Sequence, residues 1–319
     1  MYKELVSTKG LPYADWLEYR RKGLGGSDAS VVCGINRYKT PIELYMDKTG
    51  QSKDTEPGEA AYWGTQLESL VRTEFTRRTG LEVTIASQIL QNEERPFMLA
   101  NLDGICEHPL YGTCVFEAKT AGAYLAGKWE ETIPDEYMLQ VQHYLAVTGF
   151  KGAYIAVLIG GNTFKWRFIE RDEELIEMLV KLEGDFWRHV ESSTPPPIDG
   201  SDASVKFLNE RFPNSIPHTH ITLPDTAKGL ILSYDSSCEI IRNQTEKKQE
   251  AENLIKQMLG DNEAGIISDR VVAWKTVAQE RLDSKTLKAE HPQLCKKYTA
   301  TSLYRRFSIK DIKKEGETA

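Results

Sequence analysis

The chain has 319 residues, 40% hydrophobic and 27% charged, a length and balance that suit a globular protein of two domains or one domain with an appendage. No apolar run reaches about 18 residues, so no membrane-spanning helix is expected, and the opening MYKELVSTKG has no apolar core of a signal peptide. The net charge of −7 argues weakly against nucleic acid, yet Arg270 to Lys314 holds twelve Lys or Arg against four Asp or Glu, and an acidic protein can carry a basic groove.

Residues 14–23 read as a helix, followed by the glycine-rich GLGGSDAS. That turn leads into a second helix, with Ser27 or Asp28 as N-cap. A third helix has Thr40 as N-cap and Pro41 in its first position. A longer one covers residues 60–79 and ends at Gly80; Leu67, Leu70, Val71 and Phe75 form its apolar stripe and Glu68 lies beside it. Residues 81–92 alternate as one strand, and 97–108 and 112–120 read as two more joined by HPLYG. A helix over 133–149, a hairpin turning at GGN, and a helix capped by Asp172 complete this half. STPPPIDG is a stiff linker. Beyond it lie a long helix over 227–260, packing one stripe on its own domain, and a strand or hairpin over 264–283. The five cysteines are scattered without a CxxC, which suits reduced thiols rather than disulfides or a metal site, although Cys106 and Cys114 could meet across a hairpin.

The chemistry-bearing residues gather in the middle. Asp103 ends one strand; after thirteen residues come Glu117 and, two further on, Lys119. Two apart on a strand means one face. A tight hairpin would bring Asp103 to Glu117, where like charges drive each toward protonation. A divalent cation relieves that cost, and hard cations such as Mg2+ select carboxylate oxygen. A lysine on the same face suits phosphodiester hydrolysis, facing the phosphate and its water rather than neutralising Glu117. Glu68 is the natural third carboxylate. The plain alternative is a surface salt bridge between Glu117 and Lys119, worth about 0–1 kcal/mol.

Asp103…Glu117-Ala118-Lys119 resembles the D…ExK signature of the PD-(D/E)xK nuclease superfamily. WLEYRRKGLGGSDAS, NRYKTPIELYMDKTG, WGTQLE and QVQHY, in that order over residues 14–165, are similar to the motifs of the YqaJ-like viral recombinase family, relatives of lambda-type exonuclease. The resemblance implies an α/β fold with a restriction-endonuclease-like core, a central mixed sheet flanked by helices. Residues 1–194 would form the nuclease domain and 195–319 a mostly helical, basic appendage. It implies two Mg2+ ions, replaceable by Mn2+, held by Asp103, Glu117 and the Ala118 carbonyl, with Glu68 completing the site or orienting a water. Lys119 would position the water, and Gln140 rather than Gln142 would orient it. Arg20 and Ser27 would bind a 5′-phosphate; Ser27 is equally explained as a cap, and Arg20 as a partner of Glu18. Tyr144 reads as core packing and His143 as a structural or surface residue without an acidic partner nearby.

The implied activity is 5′→3′ digestion of double-stranded DNA ends, leaving 3′ tails for a RecT-like annealing recombinase in phage or prophage recombination. A homo-oligomer, possibly a toroidal trimer, in the cytoplasm of a bacterial host would go with it. An endonuclease of the same superfamily and a non-catalytic DNA-end or recombinase-binding module are the alternatives. The tail aromatics Trp274, Tyr298, Tyr304 and Phe307 could stack on bases or serve partner contacts.

Overall fold

The computed structural model describes residues 1–52, 58–300 and 303–310. They form two compact units, Met1–Glu210 and Arg211–Ala319.

The first unit opens with β1 (Tyr2–Ser7), which no alternation in the sequence marks. Helices α1 (Tyr13–Arg21), α2 (Gly26–Val32) and α3 (Pro41–Lys48) follow. α3 starts as its sequence dictates: Glu43 N donates to the Thr40 hydroxyl, Thr40 N donates back to Glu43 at 2.8 Å, and Pro41 takes the first position. α2 departs from expectation. Its N-cap is Gly25, and Asp28 reaches back to accept from Gly25 N at 3.0 Å, so neither Ser27 nor Asp28 is the cap. α4 (Glu59–Thr79) ends at Gly80, whose φ of 74° favours glycine. Val71 and Phe75, four apart, face the sheet and are buried. Leu70, expected in that stripe, is exposed because it projects from the neighbouring face.

The strand expected over 81–92 is two strands in different sheets, β2 (Val83–Thr84) and β3 (Gln88–Asn92). The next also divides, into β4 (Leu99–Asn101) and β5 (Gly104–His108). The chain changes sheets at Leu102-Asp103, between β4 and β5. β1, β3 and β4 make a three-stranded sheet. β6 (Gly112–Ala121) pairs with β5, then a 3-10 turn (Ala123–Trp129) leads to α5 (Asp135–Thr148). α5 crosses to β7 (Gly152–Ile159), which runs parallel to β6, and β8 (Thr163–Glu170) returns antiparallel. The five-stranded order β2-β5-β6-β7-β8 puts β6 in the middle of a mixed sheet. Helices α6 (Glu173–Glu191), capped by Asp172 accepting from Leu175 N at 3.0 Å, and α7 (Asp202–Arg211) complete the unit. Phe207 of α7 packs with Phe186 and Leu44, so the first unit runs beyond the proline run.

β6 sorts its side chains by parity. Cys114, Phe116 and Ala118 pack with Val71 and Phe75 of α4, whereas Val115 joins the cluster built on Val141 and Leu145 of α5. Glu117 and Lys119 share the parity of Val115 and so look toward α5. Cys106 and Cys114 stand opposite each other across β5 and β6, buried and unbridged.

In the second unit α8 (Thr226–Leu259) runs roughly 50 Å by its residue count. A hairpin of β9 (Ala264–Ile267) and β10 (Arg270–Ala273) follows, then α9 (Ser284–Glu290) and α10 (Pro292–Tyr298). The expected buried stripe on α8 is not formed: Ile240, Leu254 and Met258 are exposed, and Leu259 is its one buried residue. Trp274, Tyr298, Tyr304 and Phe307 are all exposed. Thr301, Ser302 and residues 311–314 of the basic segment lie outside the described residues. No described helix is long and apolar enough to cross a membrane.

One buried ion pair ties α5 to its surroundings. His143 and Glu183 are both completely buried, so His143 is a structural residue, and its acidic partner lies not nearby in sequence but forty positions away on α6. His143 Nδ1 is 2.8 Å from Glu183 Oε1 and Nε2 is 2.8 Å from the Leu99 carbonyl. Both ring nitrogens face oxygens that can accept, an arrangement that favours the protonated ring. Burial pulls its pKa down, but Glu183 and the Leu99 carbonyl outweigh burial and hold it above the ordinary 6.5. The stabilisation is therefore complete below pH 6.5 and is lost as pH climbs through the raised value. Glu183→Gln is expected to cost about 3–5 kcal/mol, because it leaves a buried charge unpaired. Urea melts across pH check this: the variant should also lose the wild-type pH dependence.

Candidate active site

A cleft of about 290 Å3 opens where β6, α4, α5 and the start of α2 meet. Arg20, Ser27, Glu68, Asp103, Glu117, Ala118, Lys119 and Gln140 all line it. The residues proposed from the sequence for metal, water and phosphate thus border one space, although they span 120 positions of chain.

Backbone register explains the carboxylates. Gly104 pairs with Phe116, so Asp103 falls opposite Glu117 one step beyond. Asp103 Oδ2 accepts from Ala118 N at 2.8 Å, which fixes the carboxylate at the strand end. Burial raises the Asp103 pKa, against the pull of Lys119. Glu117 lies in the middle strand with 2% exposure. Its Oε1 takes a hydrogen bond from Gln140 Nε2 at 2.6 Å and lies 2.6 Å from Lys119 Nζ. Its Oε2 is buried and, among the described residues, accepts no hydrogen bond. Burial first, then the Asp103 charge, push the Glu117 pKa up to about 8. Glu68 is pushed to about 7, by burial and then by Asp103.

Lys119 departs from expectation. It sits directly on Glu117, whereas the sequence suggested that it would turn away toward substrate. The contact has a plain cause: Lys119 is the adjacent cation on that strand face, and a buried carboxylate needs one. Burial lowers the Lys119 pKa, but Glu117 and Asp103 together outweigh this and raise it. The Tyr137 ring lies under its ammonium, 5.0 Å away. Gln142 points elsewhere, to the Glu170 carbonyl at 2.8 Å and the Asp172 N–H at 3.0 Å. Gln140 alone of the two glutamines reaches the acids.

Tyr144 is buried, as expected of core packing, but it also lines the cleft, and its hydroxyl accepts from Gln140 Nε2 at 3.0 Å. A methyl at Gly26 would fall 2.6 Å from the Tyr144 ring. That close approach explains one glycine of the pair and brings α2 onto α5. At the same end, Arg20 donates to Ser27 Oγ at 3.1 Å and lies over Trp16 with its guanidinium 4.8 Å from the ring centre. The Glu18 partner weighed for Arg20 belongs instead to Arg21, at 2.5 Å.

The donor set fits a hard divalent cation. Two facing carboxylates, one with an orphaned buried oxygen, offer oxygen ligands that Mg2+ prefers. Among the described residues no three His, Cys, Asp or Glu side chains converge into a complete cage. A small ligand set also suits Mg2+, which usually keeps several waters.

The matching family model is that of the YqaJ-like viral recombinase domain, over residues 15–151. The uncharacterized protein YqaJ of Bacillus subtilis is 42% identical over 303 residues, covering 93% of this chain and 94% of its own. The uncharacterized protein R354 of Acanthamoeba polyphaga mimivirus is 27% identical over 147 residues, 42% of this chain and 26% of its own. Among solved structures, an alkaline exonuclease from Laribacter hongkongensis has a TM-score of 0.48 at 19% identity, over 62% of this chain and 97% of its own. A phage-related exonuclease from Haemophilus somnus has 0.43 at 13%, over 56% and 99%.

The raised acids give a signed expectation. In chelator, the folded protein holds protons on Glu117 up to about pH 8, while the unfolded chain releases them near 4.5. Stability should therefore fall as pH rises across that interval, with Glu68 adding the same sign up to about 7. Glu117→Gln should flatten the loss, and thermal midpoints measured in chelator from acid to mildly alkaline pH check it. An unchanged slope in the variant would mean that Glu117 is not the strained group.

Proposed function

Because this chain belongs to the YqaJ-like viral recombinase family, we propose that its cleft hydrolyses DNA phosphodiester bonds with bound Mg2+. The observation that carries this is Glu117, whose Oε2 is buried without a partner while Lys119 and Gln140 hold Oε1. Asp103 and Glu117 would hold the metal, joined by the Ala118 carbonyl, with Glu68 completing the site directly or through a water. When bound, the cation lowers the pKa of a water and draws charge from a phosphoryl oxygen. Two Mg2+ ions, or Mn2+ in their place, are part of the same proposal.

Lys119 has its ammonium at the mouth of the acids, where it can offset charge on the attacked phosphate. Gln140 keeps one carboxylate oxygen of Glu117 fixed and can orient a water with its amide. Tyr144 in turn holds Gln140. Arg20 and Ser27, at the far end of the cleft, are suited to a terminal phosphate, because arginine forks onto phosphate in two bonds. If the phosphate held there is a 5′-phosphate, as the family resemblance implies, digestion would run 5′→3′ from duplex ends and leave 3′ single-stranded tails. Assembly as a ring of three and hand-off to a RecT-like annealing partner follow from the family resemblance and complete the proposed role in phage or prophage recombination.

A linear duplex labelled at either 5′ or 3′ ends, incubated with Mg2+, tests the reading. Label should leave the 5′ ends first, and closed circles should stay intact. Early loss of 3′ label, or nicking of circles, would overturn the polarity. Glu117→Ala and Lys119→Ala should each slow digestion by at least about 100-fold while circular dichroism stays that of the wild type. Full activity in either variant would mean that the chemistry lies elsewhere.

A further inference from the structure

Beneath Arg20 and Ser27 lies a further buried carboxylate that takes no part in the proposed chemistry. Asp28 is 4% exposed. Its Oδ2 accepts from Gly25 N at 3.0 Å and lies 2.8 Å from Lys48 Nζ, whose side chain is itself 3% exposed. Its Oδ1 lies 3.9 Å from the Arg20 guanidinium. Lys48 Nζ also donates to the Arg20 main-chain carbonyl at 2.9 Å. The pair therefore grips Arg20 twice, at the carbonyl through Lys48 and at the guanidinium through Asp28. It also pins the glycine turn that presents Ser27.

A buried pair of opposite charges adds little stability over apolar residues of the same size. What it adds here is direction. A free arginine loses considerable rotamer freedom on docking a ligand; one whose guanidinium already bonds Ser27, faces Asp28 and lies on Trp16 loses less. We propose that Asp28 and Lys48 are positioning residues for the phosphate subsite, setting Arg20 and the Gly25-Gly26 turn for a terminal phosphate. This rests on the assignment of Arg20 and Ser27 to that phosphate.

Charge and position predict opposite signs, which makes the inference testable. Removing a negative charge beside an anion site tightens anion binding if charge alone matters. If Asp28 positions Arg20, removing it weakens binding. Initial rates are measured on linear duplexes with 5′-phosphate and with 5′-hydroxyl ends. Asp28→Asn should raise KM for phosphorylated ends by about tenfold, change kcat by less than about twofold, and leave KM for hydroxyl ends alone. The double variant Asp28→Asn, Lys48→Met buries no net charge and keeps the test available if the single variant unfolds; it should show the same split. A lower or unchanged KM for phosphorylated ends in a folded variant overturns the inference. Arg20→Ala is run alongside. If it abolishes the preference for phosphorylated ends and Asp28→Asn does not, positioning fails while the subsite stands. If Arg20→Ala leaves that preference intact, the subsite assignment fails and the inference falls with it.

Discussion

The buried carboxylate of Glu117 is the constraint around which the first unit is arranged. It sits on the middle strand of a five-stranded sheet, where water cannot serve it. An ionised carboxylate there costs several kcal/mol unless it is paired and hydrogen-bonded. The fold supplies half of what is needed: Lys119 and Gln140 both engage Oε1, and Oε2 is left without a partner. A sequence selected for stability alone would place an aliphatic residue at this position, as at Val115 on the same face. A half-satisfied buried acid calls for an explanation, and the proposed cation supplies one.

The surrounding framework keeps that arrangement in register. α5 brings Gln140 and Tyr144 to the acids on one side and, through His143, locks onto Leu99 and α6 on the other. Leu99 begins the strand that ends two residues before Asp103. A shift of α5 would thus disturb Gln140 and the Asp103 strand together. Gly26 lets α2 close against Tyr144, so the Arg20–Ser27 end and the acid end of the cleft share one helix as their common wall.

Much of this was legible in the sequence where the governing interaction is local. The two-residue spacing of Glu117 and Lys119 gave their common face, Thr40-Pro41 gave the start of α3, and Gly80 gave the end of α4. Illegible features depend on distant partners. Alternation over 81–92 does not reveal that β2 and β3 pair with different strands. His143 gives no hint of Glu183, because the pairing exists only once α5 and α6 pack. Asp28 looks like a cap because aspartate is a preferred N-cap residue at a helix start; its ion-pair partner, Lys48, lies twenty positions on at the end of α3. Pattern also overstated burial on α8, where apolar residues recur without a surface to receive them in their own unit.

Asp28 and Glu117 together separate scaffold from chemistry. Both are buried carboxylates at one cleft, and burial alone would raise both. For Asp28, the charges of Lys48, Arg20 and Lys39 more than cancel burial and hold its pKa well below the usual range. For Glu117, burial and the Asp103 charge overcome Lys119, and the pKa climbs to about 8. The first acid has its charge matched by the protein, and both of its oxygens face a donor or a cation within 3.9 Å. The second has an excess of negative neighbours and an oxygen with nothing to accept. A ligand cation gains nothing at Asp28 that the protein does not already provide. At Glu117 it would remove a penalty that the protein leaves standing, and that difference, rather than the presence of acids as such, is what favours Glu117 over Asp28 as the proposed cation site.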